Sequence, residues 1–408
     1  MKSSTNTSRL NLVIILIKKT LRICQGIAEV LLFPLLLTVA LICRYKKKAI
    51  NVGLGPEPII NNVYLKQALV LFGFSAETFV SHTYFITDQF DINTSLFKYP
   101  HKIISILYLY FLVISRYKIV YLYFNGGPLG STRILHHFEP LFFRIAKTKT
   151  VVMPYGSDIQ DFRGTNNLNF LSASLKDYPA FSKNRTDKIK SNIDKWTTHA
   201  NHIISGCDWV EYMYHWDTLT LAYFAIDTNK LTPNRKLQNK RDINRPFKIL
   251  HCPNHTHIKG SHFFQNAISA LQAEGYNIEL IFVQNLPNEK IKQLMRDVDV
   301  VADQLIIGWY AMTALEAMCY EKPVLCYIKP SLQALYEESG LLDIDELPVV
   351  QCNYNNVKQQ IKFLIDNPKE RLRIGINGRQ FAIKHHSLST IGEKFCHINR
   401  QLDVHPSR

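Results

Sequence analysis

The 408 residues contain no CxxC pair, no GxGxxG turn, no P-loop, no GxSxG elbow and no HExxH pair. Each missing spacing is one that a chemistry requires. Their absence counts against a zinc ribbon or thiol redox centre, a classical dinucleotide oxidoreductase, a nucleoside triphosphatase, a serine hydrolase and a zincin. Glycine and proline number only 17 each, which excludes collagen-like and low-complexity chains. Acids are also scarce: 33 Asp and Glu face 48 Lys and Arg, for a formal charge of +15. Such a balance favours anionic partners such as nucleotides, lipid headgroups or nucleic acid, and does not choose among them. What is present is a folded chain, 47% apolar and long enough for two domains. The eight cysteines are scattered, several inside apolar runs such as VLCYI around Cys326, and read as reduced, buried thiols.

Residues 1–48 carry nine basic side chains against one acid, Glu29. Two apolar runs lie among them, at 10–17 and 27–43. The first is too short to cross a bilayer. The second, with Pro34 inside it, sits at the lower limit of about 17 residues. Three readings stay open: a span, a dip that returns at Pro34, or a helix in the interface, where each basic flanking residue adds about 1 kcal/mol of attraction to anionic lipid. A cleaved signal fits less well, because the run ends in RYKKK. A buried core helix fits poorly with lysines at both ends.

From residue 49 short apolar strands alternate with helices. The pattern predicts strands at 49–53, 75–80, 118–124, 150–155 and 201–205, with helices at 58–72, 102–117 and 132–147. A basic stretch at 229–246 reads as an interdomain linker; a nucleic-acid patch is the sharper alternative, but no recognition motif accompanies it. Beyond it, strands are expected at 247–252, 278–283, 298–303 and 324–328, with helices at 261–275, capped by Ser261, and at 287–297 and 310–320. This alternation implies α/β domains built on parallel sheets, whose ligands bind beyond the carboxyl ends of the strands. The loops 53–58, 125–131 and 155–163 lie there in the first half.

In the second half two helix starts suit a phosphate, since a helix N-terminus offers unpaired N–H groups and about half a positive charge. One follows Lys259. The other begins near Tyr310, with free amides on Ala311, Met312 and Thr313. Glu316, one to two turns further on, is placed to accept both hydroxyls of a ribose while a diphosphate sits on the first turn. The plainer reading is an ordinary core helix with Met312, Leu315 and Cys319 on its buried stripe and Glu316 as a surface acid.

The residues 308–327, GWYAMTALEAMCYEKPVLCY, together with Lys259-Gly260, resemble the donor domain of GT-B glycosyltransferases, especially the retaining group called family 4. GPEPIINNVYLKQAL, YGSDI at 155–159 and AIDTNKL at 225–231 take family-like positions in the first half. The resemblance covers about 49–403. It implies two Rossmann-like domains facing a cleft, an acceptor domain at 49–228, a linker at 229–246, a nucleotide-sugar domain at 247–385 and a C-terminal helix at 386–408 that crosses back, with 1–48 as a membrane-associating segment. Carried over by position, Lys259 neutralises the donor diphosphate, the amides of Ala311 and Met312 hold phosphate oxygens, Glu316 binds the ribose, and Tyr310 shapes the sugar pocket. The departures are specific. Gly308 stands at the first of the family's two glutamates, the usual Arg before the Lys is absent, Ala311 replaces a glycine and Tyr155 replaces a histidine. PNHTH fills the place of the Arg, so His255 or His257 is a stand-in phosphate donor. Asp303-Gln304 and Gly308-Trp309-Tyr310 resemble a subgroup associated with bacterial surface polysaccharides.

Asp158 in YGSDI is a candidate acceptor-orienting, catalytic group; its alternative is a turn-forming Asp after Gly156. His251, Cys252, His255, His257 and His262 lack the spacing of a metal cluster, and neither metal nor cofactor is expected. The reading that follows is a glycosyltransferase taking a nucleotide sugar, with a lipid-linked or saccharide acceptor, at the cytoplasmic face of a membrane with an anionic surface. Its rivals are an inactive GT-B-fold membrane partner and a nucleic-acid binder, the latter ranked last.

Overall fold

The computed structural model describes residues 3–97, 102–161, 164–179, 183–233 and 245–406. Most of the 229–246 linker and part of the 155–163 loop lie outside them.

Twelve short strands among the described residues build two all-parallel sheets. The first holds β1 (Ile50–Leu54), β2 (Ala76–Val80), β3 (Ile92–Asn93), β4 (Tyr117–Tyr123), β5 (Lys149–Met153), β6 (His202–Ser205) and β7 (Thr218–Leu219). Its order is β3-β2-β1-β4-β5-β6-β7. The second holds β8 (Phe247–His251), β9 (Ile278–Phe282), β10 (Val300–Gly308), β11 (Val324–Ile328) and β12 (Val350–Gln351), in the order β12-β11-β10-β8-β9. The central strands are almost wholly buried runs such as IVYLY and VVADQLI, as a sheet covered on both faces requires. Strand order reverses between β1 and β4 and again between β8 and β10. At such switch points the outgoing loops diverge and leave a crevice.

Helices cover both sheets. In the first half these are α1 (Ser3–Cys43), α2 (Asn61–Leu71), α3 (Lys102–Arg116), α4 (Glu139–Ile145), α5 (Leu168–Asp177) and α6 (Lys183–His199). The second half adds α7 (Thr256–Lys259), α8 (Ser261–Ala273), α9 (Asn288–Asp297), α10 (Met312–Cys319), α11 (Pro330–Glu338), α12 (Val357–Asp366), α13 (Pro368–His386) and α14 (Leu388–Gln401).

Several expectations need correction. The expected helix at 132–147 is a 3-10 turn at Leu135–His137 followed by the short α4. The expected loop 253–260 contains the turn of helix α7. Ser261 does not cap α8: Gly260 sits at the cap in a left-handed conformation, and the Ser261 hydroxyl pairs with His251 Nε2 at 2.8 Å. The expected loop at 304–309 is mostly strand, because the Gln304 side chain accepts the amides of Ile306 and Ile307 at 2.8 and 2.7 Å through a bulge in the β10–β11 register.

Two crossings tie the halves together. Helix α14 leaves the second domain and packs on α2 of the first, where Tyr121 donates to Asn399 Oδ1 at 2.7 Å and stacks on Phe395. In the opposite direction α5 leaves the first half and sets Phe170 and Ala173 into the apolar cluster of Ile249, Ile258, Phe264 and Val300. Gly392 lets α14 and α2 touch: a Cβ there would lie 2.8 Å from the Ala68 carbonyl oxygen and 2.7 Å from the Phe72 ring. Gly to Ala in a helix interior ordinarily stabilises by about 1 kcal/mol. Here overpacking costs about 1–3 kcal/mol and outweighs it. Gly392→Ala is therefore expected to lower the urea midpoint of unfolding; an unchanged or raised midpoint would mean that the crossing is loosely packed.

Candidate functional site

The loops leaving the two switch points are 55–60 after β1, 124–131 after β4, 252–260 after β8 and 309–312 after β10. Each is rich in backbone N–H groups that could receive an anion. What separates them is how those groups are already used.

In the first domain, internal carboxylates take amides of the loop after β4, whereas in the loop after β1 the Gly55 amide goes to the Tyr121 carbonyl and Pro56 and Pro58 carry no N–H. Asp158 is fully buried and accepts the amides of Phe124, Tyr155 and Gly156 at 3.1, 2.9 and 3.0 Å. Glu139, also buried, accepts those of Gly127 and Leu129 at 2.8 and 2.7 Å. Burial pushes the Asp158 carboxyl up to about 7 against the pull of its amide donors. Its carboxylate knits the β4 and β5 loops together, which is the arrangement the turn-forming alternative expects. The partly exposed acid at this mouth is Glu57, held by Asn125 Nδ2 at 3.2 Å and raised above the ordinary carboxylate value by burial. Asn125 also donates to the Tyr155 hydroxyl at 2.8 Å. The sequence signal for Glu57 was only its place directly after β1.

In the second domain the first helix turn is likewise occupied. Asp177, at the end of α5, accepts the Ile258 amide at 2.8 Å and sits 2.8 Å from His257 Nδ1. Beside it His255 Nε2 lies 2.8 Å from the Tyr178 hydroxyl. His251 is buried between the Ala302 carbonyl and Ser261, and burial lowers it to about 4. The histidines of this stretch thus have separate partners and converge on no common point. Lys259 donates to Asp303 Oδ1 at 2.7 Å. Burial opposes its charge, but Asp303 outweighs burial and holds the ammonium above its usual value.

The start of α10 differs. Ala311 is the extended cap residue, and no side chain caps the helix. The amides of Ala311, Met312 and Thr313 have no partner among the described residues, while those of Ala314 and Leu315 turn back to the Ala311 carbonyl. All three residues are half-buried. Gly308, in the place of the first family glutamate, has φ +110, and a Cβ there would lie 3.0 Å from Lys329 Cβ. A glutamate at this position would be strained whatever its chemistry.

Glu316 lies one turn further on, buried, accepting from Asn288 Nδ2 at 2.8 Å. Burial raises its carboxyl to about 7, although Lys292 and Asn288 pull the other way. The other atom of that amide, Asn288 Oδ1, is buried with no hydrogen-bond partner. Lys292 reaches across the domains to the Tyr64 hydroxyl at 2.8 Å, and the Asn288 amide donates to the Ile86 carbonyl at 3.1 Å. Tyr310, expected to shape a sugar pocket, has its ring in the core, and its hydroxyl pairs with His386 Nε2 at 2.8 Å. His386 in turn faces the Phe224 carbonyl, so this pair fastens α13 to the first domain.

Residues 242–381 match the family described as "Glycosyl transferases group 1". No curated protein sequence matches the chain. Among solved structures, sucrose-phosphate synthase from Thermosynechococcus elongatus aligns at 13% identity and a TM-score of 0.57, over 88% of this chain and 99% of that one. Anabaena HepE in complex with UDP-glucose aligns at 13% identity and 0.53, over 86% and 99%. An alpha-glucosyltransferase in complex with UDP and a mismatched DNA aligns at 11% and 0.53, over 87% and 100%. At such identities the likeness is one of fold, and the fold is the two-domain GT-B arrangement of glycosyltransferases.

Because Glu316 is raised, the folded chain holds an extra proton there. Its stabilisation is complete below the ordinary value of 4.5 and is lost as the pH rises through about 7. The difference in unfolding free energy between the parent chain and Glu316→Gln is expected to fall across that window by on the order of a few kcal/mol. Urea titrations at a series of pH values measure it, and a flat difference would place the carboxyl in a wet environment. Tyr310→Phe separates seam from pocket: a loss of about 1 kcal/mol of stability with nucleotide affinity unchanged is expected, and the reverse pattern would put the ring at the ligand.

Proposed function

We propose that the chain is a glycosyltransferase that binds a nucleotide-sugar diphosphate on the open amides of Ala311, Met312 and Thr313 and transfers the sugar to an acceptor held over the first domain. The observation that carries this is the uncapped α10 start at a switch point, where three successive amides have no partner among the described residues, while carboxylates take amides of the loops after β4 and β8. The group 1 domain match over the same residues supports it.

In this reading the bond from the sugar to the diphosphate breaks as the bond to the acceptor hydroxyl forms. Negative charge grows on the leaving phosphate, where preorganised amides and Lys259 stabilise it without a metal. Lys259 then shares its charge between Asp303 and the diphosphate. Glu316, with the unpaired Asn288 Oδ1 beside it, receives the ribose hydroxyls. Glu57 replaces Asp158 as the group that orients the acceptor. Retention through a front-face displacement, in which the acceptor proton passes to the departing phosphate oxygen, suits a site with so few free acids. A lipid-linked saccharide of a surface polysaccharide or glycolipid is the proposed acceptor. A second reading, an inactive partner protein, is favoured by Gly308 in place of the first glutamate, by the absent Arg, and by Lys259 already being paired with Asp303.

A thermal-shift panel of UDP, GDP, CMP and dTDP sugars tests binding, since a selective ligand raises the melting temperature by mass action. Met312→Pro tests the grip. It removes one amide at the first helical position, where proline is tolerated, and the extended Ala311 before it suits a following proline. Nucleotide affinity is expected to drop about tenfold or more, the worth of a charge-assisted hydrogen bond, with the fold retained. An unchanged affinity would move the diphosphate elsewhere. Binding without turnover would favour the inactive partner.

A further inference from the structure

Helix α1 is apolar on every side, yet only part of its circumference is covered. From Gly26 to Cys43 it runs along the first domain. Leu36, Ala40 and Cys43 are buried there, Tyr110 donates to the Leu36 carbonyl at 2.9 Å, and Glu29 accepts the amides of Arg133 and Ile134 at 2.9 and 2.6 Å. Phe33 meets Phe138 edge-on and Phe142 at a tilt. The opposite face presents Ile27, Leu31, Leu35 and Ile42 to the exterior, with Leu31 74% exposed. Helix α3, which packs beside α1, adds Ile104, Tyr108 and Phe111 at helical spacing, all exposed. Together these stripes form an apolar shelf of seven large exposed side chains on two adjacent helices, which water does not favour.

The rim of the shelf is basic. Lys19 and Arg22 lie exposed at one end, and Arg44, Lys46 and Lys47 at the other, next to the 85% exposed Tyr45. At that second end a cavity of about 270 Å³ is lined by Lys46, Lys47, Tyr108, Phe111, Leu112 and Arg116. Arg116 is engaged by Glu77 at 2.7 Å. Lys46 lies 5.6 Å above the Phe111 ring, and among the described residues no acid pairs with Lys46 or Lys47. An apolar face with aromatic and lysine residues at its edge is the chemistry of an interface between acyl chains and anionic headgroups.

By length and composition Lys19–Cys43 could cross a bilayer. Its packing speaks against that. A helix fastened along the domain for some 17 residues, about 26 Å of rise, cannot cross without drawing the domain in with it. We propose that α1 lies in the plane of one anionic bilayer leaflet, with its outer face and the α3 stripe among the acyl chains and a lipid phosphate held at Lys46 and Lys47. This inference stands on α1 and α3 alone and does not depend on the transferase reading.

The test is co-flotation of the full chain with phosphatidylcholine vesicles, with and without about one-third phosphatidylglycerol. Binding to the anionic vesicles is expected, weakened by salt. Leu31→Glu with Leu35→Glu should abolish it while circular dichroism melting stays unchanged, because both side chains face outward. Lys46→Gln with Lys47→Gln should weaken it roughly 25-fold, from about 1 kcal/mol per basic residue. A membrane-impermeant maleimide added outside should reach both Cys24 and the thiol introduced by Tyr45→Cys. Protection of one of the two would make α1 a span and overturn the proposal. So would a dimer that Leu31→Glu dissociates, with no vesicle binding, since a second copy would then cover the shelf.

Discussion

The structure turns on how the peptide groups at the ends of two parallel sheets are satisfied. Every strand of such a sheet ends in a loop whose N–H groups face the crevice, and an unpaired buried donor costs about 1–3 kcal/mol. In this chain carboxylates meet part of that demand from within, beside backbone carbonyls: Asp158 and Glu139 in the first domain, and Asp177 reaching over to the second. The amides at the start of α10 are left open, and this asymmetry gives the crevice a preferred end for an anion.

One of these carboxylates, Asp177, also helps to hold the two domains in one relationship. Asp177 belongs to a helix that leaves the first half and buries Phe170 in the second. Asn167 of that segment donates to the Ile306 carbonyl at 2.7 Å. Lys292 with Tyr64, Tyr336 with the Cys207 carbonyl, Lys329 with Glu211 and Tyr310 with His386 bind the other sides. The crevice is therefore walled by contacts between the halves, and α14 returns the chain to the first domain beside α2. Residues such as Tyr310 and His386 serve this seam and leave the chemistry to their neighbours.

Much of the architecture was legible in the sequence. Runs such as KIVYLYF and VLCYI, bounded by Asn, Gly and Pro, could only be buried parallel strands, and their alternation with helices fixed the fold class. The two-residue edge strands β3, β7 and β12 carry too little pattern to be read. The extension of β10 through Ile306 and Ile307 depends on Gln304, a side chain doing the work of a neighbouring strand, which periodicity cannot report. At the site, the residue types were legible and their partners were not. Lys259 reads as a free phosphate ligand until Asp303, 44 residues away, is seen beside it. Asp158 reads as catalytic or turn-forming until its amides are found. The helix start at Ala311 was legible because it rests on local backbone geometry. Asp177 at His257 and Asn288 at Glu316 are tertiary meetings with no local signature.

The account stands or falls on where a nucleotide diphosphate touches the chain. Hydrogen exchange read by mass spectrometry, with the preferred nucleotide saturating and absent, reports this peptide by peptide. The account predicts slowed exchange concentrated at 309–316 and a smaller effect around 255–260. Protection confined to the first domain's 124–131 and 154–160 loops, with 309–316 unchanged, would contradict it.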